Sequence, residues 1–280
     1  MNGRICLVTG STHGIGLATA RALASMGATV LVHGRDLERA RATAERIGRD
    51  TGNRDVRAVQ ADFAELAQVR RLAAELAAAP RLDVLVNNAG VMGARGARSA
   101  DGYDLTFAVN HLAPFLLTNL LLGKLRQSAP ARIVVVASEA HRRATLDFGD
   151  LMNSRTSGIL TAYERSKLAN LLFVRSLARR LVGSGVTVNA LHPGLVASHL
   201  FQHTPLPLRL LLLGPGRLFM ISPERGALGA VHLATAPELR TENGGYYSGR
   251  RCAAPSAAAQ SDESAERLWA ESARLTGLAA

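Results

Sequence analysis

Along the chain, short apolar runs alternate with longer stretches of helical periodicity. Residues 4–9, 28–33, 56–60, 82–87, 132–137 and 186–191 are rich in Val, Ile and Leu and too short for helices, which predicts six strands. Between them, 15–26 carries apolar residues at helical spacing and stops before Gly27. The segment 37–47, rich in Arg, Ala and Glu, closes at Gly48, and 65–79, 103–125 and 162–182 follow the same pattern. Strands apolar at nearly every position, each followed by a crossover helix, imply a parallel sheet covered on both faces. The expected architecture is therefore a doubly wound α/β domain spanning residues 1–280, with about seven strands. Two regions break the rhythm. The apolar, Pro- and Gly-punctuated stretch 198–222 reads either as a lid over substrate at the carboxyl ends of the strands or as an irregular helix–turn packed on the core. The tail 253–280 ends in a helix at 262–275, with Leu268 and Trp269 as its hydrophobic anchor.

Composition narrows the class. Of 280 residues, 48% are hydrophobic and 20% charged, which excludes a disordered, collagen-like or disulfide-scaffold chain. Lys and Arg total 33 against 22 acids, a net charge of +11 that raises nucleic acid or an anionic membrane surface as partners. Neither is expected, because aromatics are only 4% and the arginines are spread along the chain. Arg39, Arg41, Arg46 and Arg49 do cluster, but beside Glu38 and Glu45, as on a solvated helix face. Cys6 in a strand and Cys252 in a polar tail suit a reducing cytoplasm and neither a bridge nor a metal site. No leader pattern opens the chain, and no stretch reaches the ~18 apolar residues of a membrane span. His141, His192, His199 and His203 lack ligand spacing and read as packing or surface residues.

Candidate chemistry begins after the first strand, with Thr9-Gly10-Ser11-Thr12-His13-Gly14-Ile15-Gly16 leading into the first helix. Such glycines permit a tight turn and let backbone N–H groups approach a pyrophosphate, while the helix N-terminus adds partial positive charge. Farther on, Tyr163 and Lys167 lie four apart in a helical stretch and share a face. An ammonium beside a phenol favours phenolate and would bring its pKa toward working range. The chain contains only two lysines, Lys124 and Lys167, so a lysine at this position carries weight.

The Gly-x-x-x-Gly-x-Gly spacing resembles the short-chain dehydrogenase/reductase family, and further marks follow in order: Asn87-Asn88-Ala89-Gly90, Asn110, Ser138, Tyr163-Glu-Arg-Ser-Lys167 and His192-Pro193-Gly194. Ser138-Glu-Ala-His141, the stretch 163–170 and Glu266-Arg-Leu-Trp269 resemble its retinol-dehydrogenase-like branch. The resemblance implies a Rossmann-type fold and an enzyme interconverting an alcohol and a ketone or aldehyde on a small apolar molecule. Tyr163 would be the general acid or base, Lys167 would lower its pKa, Ser138 would hold the substrate oxygen, and Asn110 would anchor a relay water. It further implies a nicotinamide cofactor held by Gly10, Ser11, His13, Gly14, Ile15, Gly16, Asp62, Phe63, Asn88, Ala89, Gly90, Tyr163, Lys167, Pro193, Gly194 and Val196, and a homodimer or homotetramer through the long helices. At the end of the second strand, Gly34 stands where NAD-preferring relatives place an acid, and Arg35 follows, which favours NADP; the nearby Asp36 keeps NAD open. Departures include Ala137 in place of a frequent serine and a segment at 147–158, inserted relative to the wider family but similar in the retinol-dehydrogenase-like branch. The rival on the same fold is a non-catalytic nicotinamide-nucleotide sensor, which would be expected to lose the tyrosine or lysine.

Overall fold

A computed structural model describes residues 1–152, 158–196 and 220–278; positions 198–219 of the expected lid and 153–157 of the insertion lie outside the described residues. Strands β1 (Ile5–Val8), β2 (Thr29–Gly34), β3 (Val56–Gln60), β4 (Val84–Asn87), β5 (Ala131–Val136), β6 (Val186–His192), β7 (Tyr246–Ser248) and β8 (Arg251–Cys252) form one sheet in the order β3-β2-β1-β4-β5-β6-β7-β8. All pairings are parallel except the last. The eighth strand was not expected: two residues fold back antiparallel after Gly249, whose φ of 58° makes the turn without a Cβ penalty.

Alternate side chains of the central strands enter opposite layers, as the pleat requires. Leu7, Leu85, Ile133 and Val188 pack beneath helices α3 (Leu66–Ala77), α4 (Leu105–Gln127) and α5 (Ile159–Arg180). Cys6, Val8, Val84, Val86 and Val134 pack beneath α1 (Gly14–Ser25), α2 (Leu37–Thr51) and α6 (Pro223–Thr235). Each fully buried Leu or Val contributes about 1.5–3 kcal/mol of hydrophobic stabilisation.

The helices depart from expectation where local cues mislead. Helix α2 runs through Gly48 to Thr51, and Gly52 at φ 70° is its left-handed cap. Helix α4 has the length and mean hydropathy (1.5) of a membrane span, but 78% of its most apolar window is buried against the sheet and neighbouring helices, the mark of a core helix. It starts on the Asp104 carboxylate, which accepts from the Phe107 N–H at 2.9 Å, and carries a π-turn over Ala108–Leu112. Helix α7 (Asp262–Thr276) lies across α5 and touches α4. Leu268 is buried there, and Trp269 packs 5.0 Å from Phe115, 5.9 Å from Phe173 and beneath the Arg180 guanidinium at 4.0 Å. The α2 arginines answer to acids of their own helix, Arg41 to Glu38 at 2.8 Å and Arg49 to Glu45 at 3.9 Å.

Chain order reverses between β1 and its two neighbours β2 and β4, so a crevice opens at their carboxyl ends, where doubly wound sheets bind ligands.

Candidate active site

Two loops meet in this crevice. Gly10 has φ 62°, and a Cβ there would stand 2.8 Å from the Ala89 Cα; one on Gly16 would stand 2.4 Å from the Gly10 carbonyl oxygen. The glycines are thus demanded by close backbone approach as well as by the turn. Thr9 clasps the second loop, its hydroxyl accepting from the Asn88 and Ala89 N–H groups at 2.9 and 3.0 Å. The Asn88 amide donates to the Thr9 and Gly10 carbonyls at 2.8 and 3.2 Å. Ser11 is buried, its hydroxyl donating to Val8 O at 2.7 Å and accepting from His33 N at 2.9 Å, so its side chain shapes the loop from below. His13 occupies the N-cap of α1 without a side-chain cap, and no acid sits in the first turn, leaving the amides of Gly14, Ile15 and Gly16 uncapped by side chains among the described residues. Glycine clearance and an uncapped helix N-terminus together fit a pyrophosphate.

On the adenosine side, Gly34 has a packing reason: a Cβ would meet the Thr12 methyl at 2.7 Å. Arg35 is exposed and has no ion-pair partner among the described residues. The carboxylate of Asp36 caps α2, accepting from Arg39 N at 3.0 Å. Asp62 accepts from Ala64 N at 2.9 Å, and Phe63 is buried against His33. On the other side, Gly194 has φ 87°, and Val196 and Ile15 both lie against Gly226 of α6, at 2.8 and 3.4 Å from where its Cβ would be. Pro193 precedes that turn, immediately after β6.

The catalytic candidates converge from four elements. Ser138 follows β5 and hydrogen-bonds Tyr163 near the head of α5. One turn along, Lys167 is buried, with Nζ 5.5 Å from the centre of the Tyr163 ring and donating to Val136 O at 3.0 Å. A Cβ on Gly90 would lie 3.5 Å from that Nζ and 3.3 Å from Asn110 Oδ1, so the glycine makes room for both. Asn110 is fully engaged: Oδ1 accepts from Val91 N at 2.7 Å, and Nδ2 donates to Val91 O and Ser166 Oγ, both at 3.0 Å. Ser166, which the motif reading passed over, in turn donates to Tyr163 O at 2.7 Å. An α-helix would close the Asn110 carbonyl with the N–H of residue 114, but Pro114 has none, and the π-turn falls at this point.

One expectation requires correction. Desolvation pushes the Tyr163 hydroxyl up to about 12 despite the Ser138 hydrogen bond, so the neighbouring ammonium does not bring it toward neutrality in the chain alone. Burial also acts on that ammonium, pushing Lys167 down to about 8. Both shifts disfavour charge, because water is missing from around each group. Beneath the site, Glu139 accepts from Tyr246 Oη at 3.1 Å, pairs with Arg142 and lies 3.3 Å from His192 Nε2. It ties the Ser138 turn to the His192–Pro193 segment; sequence gave no signal for it. His141 is held by Ser138 O at 2.7 Å and Ser256 N at 3.1 Å, the packing role expected for it.

A model of the short chain dehydrogenase family matches residues 4–206. The chain belongs to the short-chain dehydrogenase family. Within it, the chain is 44% identical over 284 residues to human retinol dehydrogenase 13, covering 99% of this chain and 86% of that protein. It is 41% identical over 277 residues to human retinol dehydrogenase 11, covering 99% and 86%, and it falls in the retinol-dehydrogenase-like branch. Among solved structures, an uncharacterized protein from Mycobacterium paratuberculosis shares 32% identity at a TM-score of 0.80, covering 99% of this chain and 94% of that one. The Pseudomonas aeruginosa RhlG/NADP active-site complex shares 32% at 0.71, covering 89% and 95%.

Proposed function

We propose that this short-chain dehydrogenase is an NADP-preferring oxidoreductase that interconverts an alcohol and a ketone or aldehyde on a small apolar molecule. The single observation that carries the reading is the convergence of Ser138 on Tyr163, of Tyr163 on Lys167, and of Lys167 and Asn110 on Gly90, beside a glycine loop shaped for a pyrophosphate. The names of its relatives, retinol dehydrogenases 13 and 11, support alcohol–carbonyl chemistry. The NADP in the RhlG complex and the exposed Arg35 guanidinium support the cofactor, with NAD the alternative.

The nucleotide would be held by Gly10, Gly14, Ile15 and Gly16 at the head of α1, by Arg35 at a 2′-phosphate, and by the segments at 62–63, 88–90 and 193–196. A bound nicotinamide supplies the hydride in reduction and accepts it in oxidation. Ser138 donates to the substrate oxygen and stabilises alkoxide charge as it develops. In reduction Tyr163 delivers its proton to that oxygen, which the raised pKa suits, since the phenol starts protonated. Lys167 holds positive charge against the phenolate that remains, and the Asn110 carbonyl, whose α-helical donor Pro114 lacks, accepts from a water that returns the proton from solvent. In oxidation the same groups run in reverse. The intact Tyr163 and Lys167 argue against a non-catalytic sensor.

A cytoplasmic location belongs to the same reading, supported by free thiols at Cys6 and Cys252. Pairing as a homodimer or homotetramer through α4 and α5 would have to use the surface that α7 leaves uncovered. The test is direct: purified protein is mixed with NADPH or NADH and a panel of aliphatic, aromatic and polyene aldehydes and ketones while nicotinamide absorbance is followed. Substrate-dependent oxidation of NADPH faster than NADH is expected; a protein that binds nucleotide yet turns over no member of the panel sinks the proposal.

A further inference from the structure

Strand β2 ends with His33 and Gly34, immediately before Arg35, and the catalytic scheme makes no use of the imidazole. Its side chain is buried, and both ring nitrogens have partners: Gly10 N–H donates to Nδ1 at 3.0 Å, and Nε2 meets Ala61 O at 3.1 Å. A backbone N–H can only donate and a carbonyl can only accept. Nδ1 is therefore bare and Nε2 carries the proton, which fixes one neutral tautomer. Burial holds the ring's pKa down at about 4, in keeping with that state. The main chain of His33 is tied to the same loop, its N–H donating to Ser11 Oγ and its carbonyl accepting from Ser11 N, both at 2.9 Å. Its ring packs 4.5 Å from Phe63.

One residue thus touches the glycine loop at Gly10 and Ser11 and the adenosine-side loop at Ala61 and Phe63, and by chain connection it sets where Gly34 and Arg35 begin. Gly10 is also the point where no Cβ fits, so its amide cannot turn outward without the whole loop moving against Ala89.

We propose that His33 is a positioning residue for the nicotinamide nucleotide: its neutral imidazole braces the phosphate-binding loop against the adenosine-side loop through the Gly10 N–H. This rests on the reading of the crevice as a nucleotide site. Removing the acceptor leaves the half-buried Gly10 amide without its partner and lets the loop relax, which weakens nucleotide binding without touching the reacting atoms.

Three variants separate the bonds. In His33→Asn the amide oxygen stands near the Nδ1 position, His33→Gln reaches toward the Nε2 position, and His33→Phe keeps the ring and loses both. Fluorescence titration with NADPH is expected to show about tenfold weaker binding for His33→Phe and His33→Gln, with most of the affinity restored in His33→Asn. At saturating nucleotide, kcat stays within about twofold of wild type in all three. In the free protein, Gly10 amide hydrogen exchange should be protected in wild type and His33→Asn and fast in the other two. Unchanged affinity in His33→Phe overturns the proposal, as does rescue by Gln rather than Asn. If His33→Phe does not fold, the Asn and Gln pair decides alone. Wild-type protein that binds neither NADPH nor NADH overturns the functional reading and this role with it, whereas wild-type binding matched by all three variants overturns this role alone.

Discussion

Under the proposed function, the backbone does the recognising on the β1–β2–β3 side of the crevice and the side chains do it on the β5–α5 side. Around the glycine loop, the side chains of Thr9, Ser11, Asn88 and His33 all turn inward and hold main chain in place. What is left to face a nucleotide is peptide N–H, helix dipole and the exposed Arg35 guanidinium, which has no ion-pair partner among the described residues. Around Ser138 and Tyr163, main chain serves as support, through Val136 O under Lys167 and Val91 beneath Asn110, and the proposed chemistry is left to the side chains of Ser138, Tyr163 and Lys167. The difference follows from the two tasks. A pyrophosphate wants many fixed donors whose position cannot drift, and backbone held by buried hydrogen bonds supplies them at low entropic cost. Proton transfer wants groups whose proton affinity can be set by surroundings, which only side chains offer.

The sharpest way to break this division is Tyr163→Phe. Turnover should fall by about 10²–10⁴-fold while NADPH affinity changes by no more than about twofold, read by steady-state kinetics beside a binding titration. Loss of both together would mean that the two halves are not separable.

Acid stability probes the inward-facing half next. His33 and His111 are buried, and their folded-state pKa values, about 4 and about 3, lie below the ordinary 6.5. The unfolded chain therefore binds more protons than the folded one between those values and 6.5. The stability these neutral histidines confer is complete above pH 6.5 and is lost as pH falls through the window. Urea unfolding at a series of pH values should show an acid limb of up to about 1.4 kcal/mol per pH unit for each histidine, and His33→Asn should remove one histidine's share. Lys167 acts with the same sign at higher pH: with its pKa held down near 8, stability should rise again between pH 8 and the ordinary 10.5.

The mildest change expected is at the exposed rim. Arg35→Ala should weaken NADPH by about tenfold and leave NADH nearly unchanged, since only one charge-assisted contact is removed. Equal loss for both nucleotides would move the adenosine specificity elsewhere.

Much of this was legible residue by residue. The six strands of the main alternation lie within two residues of where Val, Ile and Leu concentrate, because a doubly covered strand has no polar face to blur it. Gly10, Gly14 and Gly16, the Tyr163–Lys167 pair and Ser138 all stand in the crevice. The chain was less legible where one local cue had two meanings. Gly48 looked like a helix stop, yet α2 tolerates it and ends four residues later at a left-handed Gly52. Gly34 looked like a choice about charge and is also a matter of room for Thr12. Asp36, the nearby acid that keeps NAD open, also caps α2.

By itself the sequence determined the fold class, the order of the elements, the loop that can bend around phosphate and the residue types able to move a proton. These depend on periodicity, on glycine and on spacing within a turn, all local properties of the chain. Tertiary structure alone decided what each group meets there: the Gly10 amide on a histidine 23 residues away, Asn110 on Ser166 at 56, and His111 on Ser272 at 161, where Nε2 and Oγ stand 2.8 Å apart. It also decided that Tyr163 is a weaker acid in the free chain than its lysine neighbour suggests. Hydrogen bonds across such separations, and the exclusion of water that sets a pKa, exist only once distant segments have packed together, and no window of sequence contains them.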